Sequence, residues 1–348
     1  MTGRSVTIID VARHAGVSKT TASDALSGGG RVSPETRERI AAAAALLGYV
    51  PNAAARHLRR SRVGAVGLHV PRQAMGMGFY MEFAFGVAER AREAGLDLTL
   101  LALDPAQAGR PRLRVDGVII IDPLPDDPVT GALLSADVPV VTVGRHRGPG
   151  PAPAGVLVAD HAAMMNRLLG HLHAAGASAP GLVVPDDGFR SDWALLVRET
   201  YERWCRDHGA TPVVRSVAVD ATPDTVDEVI RDLVTGGPGL DAVICAPDGS
   251  ALRALSTLKA LGRPVGDRLL LASCVASPSM ELCDPPITAI DLRPRRYGNS
   301  AAGLLTGILA GTVEPEERGR PVERLHPVEL LVRPSTAFRA ETAPPRAR

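Results

Sequence analysis

Apolar residues recur at helical spacing through Ile8, Val11, Ala12 and Ala15, stop at Gly16-Val17, and resume at Ala22, Ala25 and Leu26. That pattern predicts two short helices joined by a tight turn. Thr7 followed three positions later by Asp10 is a capping-box-like start, and Ser18 is a good cap for the second helix, which runs to about Ser27. Gly16 supplies the left-handed backbone the turn requires, and Val17 plugs the corner. Lys19, Thr20, Ser23 and Asp24 fall on the face of the second helix opposite its alanines. Ser33-Pro34-Glu35 opens a third helix, with Ile40, Ala43, Ala44 and Leu47 as its apolar stripe and Gly48 as its stop. Three helices in about fifty residues make a small bundle.

From Val63 the texture changes. Apolar, β-rich runs at 63–70, 96–103, 115–121, 138–143 and 155–158 form one series, and runs at 179–184, 211–219, 240–246, 268–273 and 287–292 form a second. Amphipathic stretches at 79–94, 161–175, 191–208, 222–235 and 248–261 lie between them. Two successive βα series predict an α/β body of two doubly wound parallel-sheet lobes, with a ligand cleft at their strand C-termini. Pro51 stops the bundle, and residues 51–62 read as a hinge that orders only when held, because a two-turn helix is marginal in water. Leu58 sits there among basic residues. The expected divisions are therefore 1–50 for the head, 51–62 for the hinge, 63–333 for the body and 334–348 for a disordered tail.

Charge sharpens the reading of the head. Residues 1–62 carry ten Lys or Arg against four Asp or Glu, a balance of +6, which leaves −5 on the remainder of a chain of net charge +1. A basic head on a mildly acidic body is expected where only the head meets a polyanion. A short helix with one small apolar face and one short polar face suits the DNA major groove, since its backbone can approach closely. No apolar run reaches the roughly 18 residues of a membrane span, and the first twenty residues lack the apolar core of a signal peptide. Cys205, Cys245, Cys274 and Cys283 are widely spaced, which predicts reduced thiols in a cytoplasmic protein and no metal site. Two rival functions are weighed. A solute-binding receptor without DNA activity fits the body but not the basic head. An enzyme is disfavoured, for there is no glycine-rich phosphate loop, no GxSxG elbow and no metal cluster.

The head TIIDVARHAGVSKTTASDAL…GGGRVSPETRERIAAAAALLGYVPNAAARHLR resembles the lactose-repressor/galactose-repressor (LacI/GalR) family of transcriptional regulators. The body motifs VGAVGLHVP, VDGVIIID, VPVVTVGR, APDGSALRAL, DPPITAIDLRP and YGNSAAGLLTGILAG extend that resemblance over about residues 5–333. It implies lobes of periplasmic-binding-protein type and a homodimer on a pseudo-palindromic operator. It also implies a repressor with no cofactor, whose DNA affinity is set by a small-molecule effector, a sugar or a modified or anionic metabolite. The tail RPSTAFRAETAPPRAR has no leucine heptad, so a dimer is expected rather than a tetramer.

By position, the resemblance assigns base reading to Lys19 and Thr20, and phosphate or sugar contacts to Thr7, Ser18, Ser23, Arg31 and Asn52. Tyr49 and Ala55 complete the DNA-facing set. Leu58 matches a leucine that wedges into the minor groove and kinks the duplex. Asp24 stands where the family often has arginine; a carboxylate there is repelled by phosphates yet can accept from cytosine N4. For the effector, Phe79, Tyr80, Arg145, Arg198 and Asp248 are the expected contacts, with Arg190 and Trp193 close by. Val275 stands where many members carry a ligand-binding aspartate. With two arginines nearby, that substitution predicts a less hydroxylated, more apolar or anionic ligand.

Overall fold

The computed structural model describes residues 6–27, 32–49, 62–104, 113–237, 239–266, 269–314 and 319–337. The chain divides into two compact units, 1–64 and 65–348. In the first, α1 (Ile8–His14), α2 (Lys19–Ser27) and α3 (Pro34–Leu46) enclose a core of small residues. Val11, Ala12, Ala15, Ala22, Ala25, Ile40, Ala43 and Ala44 are all buried in it. The local signals act as expected. Asp10 accepts from the backbone N–H and the hydroxyl of Thr7, at 2.9 and 2.7 Å. The Ser18 hydroxyl accepts from Thr21 N–H at 3.0 Å. Gly16 holds φ +65°, where a side chain is disfavoured.

The second unit contains two six-stranded sheets. Lobe 1 is built on β1 (Ala65–His69), β2 (Asp97–Leu100), β3 (Gly117–Ile121), β4 (Val140–Val143) and β5 (Gly155–Ala159), joined late by β11 (Val322–His326). Its order is β11-β5-β4-β3-β1-β2, all parallel. Lobe 2 repeats the plan with β6 (Pro180–Pro185), β7 (Val213–Val217), β8 (Ala242–Cys245), β9 (Leu270–Ser273) and β10 (Thr288–Asp291), and β12 (Glu329–Leu331) closes the sheet. The order here is β12-β10-β9-β8-β6-β7, with β12 antiparallel to β10. The central strands bury both faces. Val66, Leu68, Ile119 and Ile121 enter one core, while Ala65, Val118 and Ile120 enter another, so the sequence reads as unbroken apolar runs. In each lobe the strand order reverses beside the first strand, between β1 and β3 and between β6 and β8, which is where open α/β sheets bind ligands.

Among the helices, α4 (Gly78–Glu93) and α5 (Pro128–Leu134) belong to lobe 1, while α7 (Asp192–Asp207), α8 (Pro223–Gly236) and α9 (Ser250–Ala260) belong to lobe 2. The chain changes lobe three times: after β5, through α6 (His161–Ala174) to β6; after β10, into α10 (Pro294–Ala310); and between β11 and β12. Helices α4 and α10 cross with backbones in contact. A Cβ on Gly86 would lie 1.8 Å from the Arg295 carbonyl oxygen, and one on Gly298 would lie 2.0 Å from that of Phe83.

All ten expected strands are present, and two are added. β11 reads VERLH with its three central residues exposed, and β12 has three residues, so neither carries an apolar signature. The expected disordered tail is corrected at its start. Pro334–Thr336 is a 3-10 turn, in which the buried Ser335 hydroxyl donates to the Leu271 carbonyl at 2.6 Å and accepts from Thr288 N–H at 2.8 Å. Residues beyond 337 lie outside the described part, as do most of the hinge and Arg31, Asn52, Ala55 and Leu58.

Candidate functional site

The head presents a polar surface on a packed scaffold. Ala22 and Ala25 turn α2 inward, leaving Lys19 and Thr20 exposed and Ser23 and Asp24 half-buried. Ser18, at the N-cap, is exposed, and Thr7, at the cap of α1, is half-buried. Both helices thus begin with hydroxyls near their positive dipole ends, an arrangement that accepts phosphate oxygens. Tyr49 follows α3 and packs against the head core, so only part of its ring is available to a ligand.

In the body, a cleft opens where the two sheets bring their strand C-termini together. Lobe 1 contributes Met77, Phe79 and Tyr80 around the start of α4, Asp122 after β3, Gly144 after β4, Ala159 at the end of β5, and Tyr297 of α10. Asp192 and Trp193 at the start of α7, Asp248 after β8, Cys274 and Val275 after β9, and Leu292 after β10 come from lobe 2, with His161 at the head of α6. The enclosed space, mouth included, is about 660 Å³. Only about 40 Å³ of it admits the centre of a water molecule, room for about three waters.

Three carboxylates bridge the lobes across this space. Asp248 accepts from Phe79 N–H at 3.3 Å. Asp192 accepts from the Arg147 guanidinium at 2.6 Å and from Arg145 N–H at 3.4 Å. Asp122 accepts from the Tyr80 hydroxyl at 2.6 Å and from the Trp193 indole. Burial raises the Asp122 carboxyl to about 7, although its two hydrogen bonds pull it down. Asp122 also holds φ +49°, one of two positive values outside glycine among the described residues, and such outliers cluster at functional sites. Burial likewise raises Asp248 and, well above its ordinary value, Tyr80. It lowers His161 to about 4, so this ring is neutral at physiological pH. Among the described residues the lining therefore contains acceptors and aromatic rings but no cation.

The expected effector residues divide on this geometry. Phe79, Tyr80 and Asp248 line the cleft, and Val275 lines it as the missing acceptor. Arg145 and Arg198 do not. The Arg145 guanidinium turns to Glu323 on β11 at 2.9 Å, and Arg198 pairs with Glu202 one helical turn on, also at 2.9 Å. On α7 the inward face runs through Ala194, Val197 and Tyr201, all buried. Arg198 lies one residue, about 100°, off that face. The anionic ligand that rested on these arginines is therefore disfavoured by a lining of three carboxylates. Arg190 lies outside the inner lining, near Asp126 at 3.9 Å, while Trp193 lies within it. Asp122, Asp192, His161 and Tyr297 were missed. Asp122 had a usable signal, as the lone polar residue ending the apolar strand GVIII at a switch point. Asp192 reads in sequence only as an acid in a first helical turn.

Among the described residues, no helix is long and apolar enough to cross a membrane, and no group of three or more His, Cys, Asp or Glu is placed to hold a metal. The four cysteines are free thiols.

Residues 7–52 match the family described as bacterial regulatory proteins, lacI family, and residues 169–336 match the periplasmic binding protein-like domain. The HTH-type transcriptional regulator CelR of Thermobifida fusca is 30% identical, over 95% of this chain and 98% of that protein. The HTH-type transcriptional regulator Rv3575c of Mycobacterium tuberculosis is 28% identical, over 94% and 96%. The Sucrose operon repressor of Klebsiella pneumoniae is 38% identical over a shorter span, 42% of this chain and 46% of its own. A solved CelR–cellobiose complex superposes with TM-score 0.67 at 25% identity, covering 95% of this chain and 99% of that one. The lac repressor dimer bound to operator and the anti-inducer ONPF shares the fold, with TM-score 0.74 at 22% identity over 96% and 100%. The chain belongs to the lacI family of bacterial regulatory proteins and is a DNA-binding transcriptional regulator, not an enzyme.

Proposed function

We propose that this regulator is a cytoplasmic repressor that binds a pseudo-palindromic operator as a homodimer and is controlled by a small, neutral, hydroxylated effector of the saccharide class. The observation that carries the effector reading is the cleft lining, with Asp122, Asp192 and Asp248 as acceptors beside the rings of Phe79, Tyr80 and Trp193 and no cation. Hydroxyls donate to carboxylates, and the apolar faces of a sugar ring pack on aromatic side chains. A relative has been solved with cellobiose and another is named for a sucrose operon, which agrees with this chemistry. The loss of an acceptor at Val275 is offset by Asp122 and Asp192.

Control follows from the interlobe bonds. The carboxylates that face the ligand also hold the lobes together, Asp248 through Phe79 N–H and Asp192 through Arg147. A ligand that takes over those acceptors stabilises one lobe arrangement over another, and only that difference in affinity can shift operator binding. At the operator, Lys19 and Thr20 read base edges, and Thr7, Ser18 and Ser23 meet the backbone. Arg31 and Asn52 add backbone contacts, and Leu58 provides the wedge. Gel shifts with DNA from upstream of the protein's own gene test this reading. Specific binding should fall about 10³–10⁵-fold between 50 and 200 mM salt if about 6–10 phosphates are met. A neutral saccharide should change the affinity. Binding that is indifferent to DNA sequence and to every saccharide contradicts the proposal.

A further inference from the structure

The three places where the chain changes lobe meet at one buried imidazole. His326 is the last residue of β11 on lobe 1, and Pro327-Val328 carry the chain on to β12 of lobe 2. The residue is 1% exposed. Its Nε2 lies 3.0 Å from the carbonyl oxygen of Leu292, the first residue past β10 on the way back to lobe 1. In the sheet His326 pairs with Ala159, the last residue of β5 before the first crossing. A backbone carbonyl can only accept, so Nε2 carries the proton and donates, and Nδ1 is left as a bare acceptor. Among the described residues that Nδ1 has no partner. Burial pushes the ring down to about 4, so it is neutral at physiological pH.

The same ring is stacked on Tyr297 of α10, with centroids 4.1 Å apart and planes 14° from parallel. Tyr297, Leu292 and Ala159 all line the effector cleft, whereas His326 does not. It stands directly behind the cleft wall and holds three parts of it. An apolar ring would fill the same place without leaving a buried nitrogen unpaired, so packing alone does not call for histidine. What histidine adds is a bond from the lobe 1 end of the third crossing to the lobe 2 end of the second. Next to that bond Arg293 holds φ +46°, so the second crossing is a tight, strained bend. Lobe rotation is absorbed by a few such element-terminal residues, and it must stretch or break the bond between them.

We infer that His326 is the positioning residue of the interlobe hinge: its bond to the Leu292 carbonyl fixes the angle between the lobes, and its stack on Tyr297 passes a displacement of the cleft wall to that bond. The consequence for DNA rests on the control of operator binding by the cleft proposed above; the hinge role itself does not.

Acrylamide quenching of tryptophan fluorescence in the full-length protein reads the lobe angle without ligand or DNA. The Trp193 indole on lobe 2 donates to Asp122 on lobe 1, so opening of the lobes exposes it, while Trp204 is buried outside the cleft lining. His326→Phe keeps the stack and loses the bond. Well below the unfolding temperature of the variant, its quenching constant should rise at least about twofold. His326→Leu, which cannot overpack the site, should do the same. His326→Gln returns an amide N–H to the Leu292 carbonyl and should restore the wild-type constant. Adding Trp193→Phe to each should abolish the differences. Wild-type quenching in both His326→Phe and His326→Leu, or a rise that His326→Gln shares, makes His326 ordinary core and overturns the inference. In gel shifts on DNA from upstream of the protein's own gene, the opened variants should also change affinity at least about threefold. Opening without that change leaves the hinge role standing and overturns control by the cleft.

Discussion

The head and the cleft solve recognition in opposite ways. In the head, every residue that builds the polar face lies within about one helical turn of the residue that positions it: Asp10 holds Thr7, Ser18 caps the helix that displays Lys19 and Thr20, and Ala22 anchors that helix in the core. The cleft draws its acceptors from positions 122, 192 and 248 and satisfies them with partners 42 to 169 residues away. A face made by local geometry stays largely open to solvent. One assembled over long range is buried, and burial raises the carboxyls of Asp122 and Asp248 above their ordinary values. Reading DNA needs only a surface held in register, whereas sensing a small ligand needs acceptors that can exchange an interlobe partner for the ligand.

Separating the two regions is the largest effect to expect. Ile40 is fully buried in the head. Ile40→Asp places an unpaired charge there, at a cost of about 3 kcal/mol or more, and should abolish operator binding in a gel shift. Both tryptophans, Trp193 and Trp204, lie in the body, so their fluorescence should report an unchanged unfolding temperature. A body that melts earlier in this variant would show that head and body do not unfold independently. Gly86→Val is the converse. Its side chain cannot fit against the Arg295 backbone, so α4 and α10 must separate. The body should lose about 3 kcal/mol or more, with the tryptophan-monitored transition falling by at least about 6 °C.

Third in size is a pH effect confined to the cleft. The Asp122 carboxyl stands at about 7 in the folded chain against an ordinary value of 3.8. The folded state therefore holds that proton more tightly than the unfolded state, and stability is lost as pH rises from about 4 to about 7. At most about 4 kcal/mol is involved. Asp122→Asn should flatten this decline in thermal scans across that range; an unchanged slope would mean the group titrates normally. Smallest is Lys19→Ala. Loss of a base contact should reduce operator affinity by about 1–3 kcal/mol, roughly five- to 150-fold, while random-sequence DNA is bound almost as before. Equal losses on both would make Lys19 a phosphate contact only.

The same contrast decides what could be read from the sequence. Caps, turn glycine and helical spacing specify the head residue by residue, and apolar runs mark all ten strands of the two βα series. β11 and β12 escaped because an edge strand with solvated side chains has no apolar period to see. Ser335 and Thr336 look like tail in sequence, yet they are fixed by bonds to Leu271 and Thr288 far upstream. In the cleft, Phe79 and Tyr80 were legible as the aromatic pair at the start of the helix after β1, and Asp248 as the acid three residues after β8, both through the family resemblance. Arg198 sits on α7 beside the inward Val197, and its side chain pairs with Glu202 rather than lining the cleft. Asp192 and Tyr297 become site residues only when α7 and α10 fold back over the strand ends, and nothing local announces that.

In the function proposed above, one face of α2 reads a defined DNA sequence under the control of the cleft. The most direct test is a footprint of the full-length protein on DNA upstream of its own gene, with and without a panel of neutral saccharides. Protection of one inverted repeat is expected, with half-sites about 10 base pairs apart, or a multiple of that, centre to centre. Protection should be lost in Lys19→Ala at the same protein concentration and altered by at least one saccharide in the wild type. Uniform protection along the fragment, or a footprint that Lys19→Ala leaves intact, would contradict it.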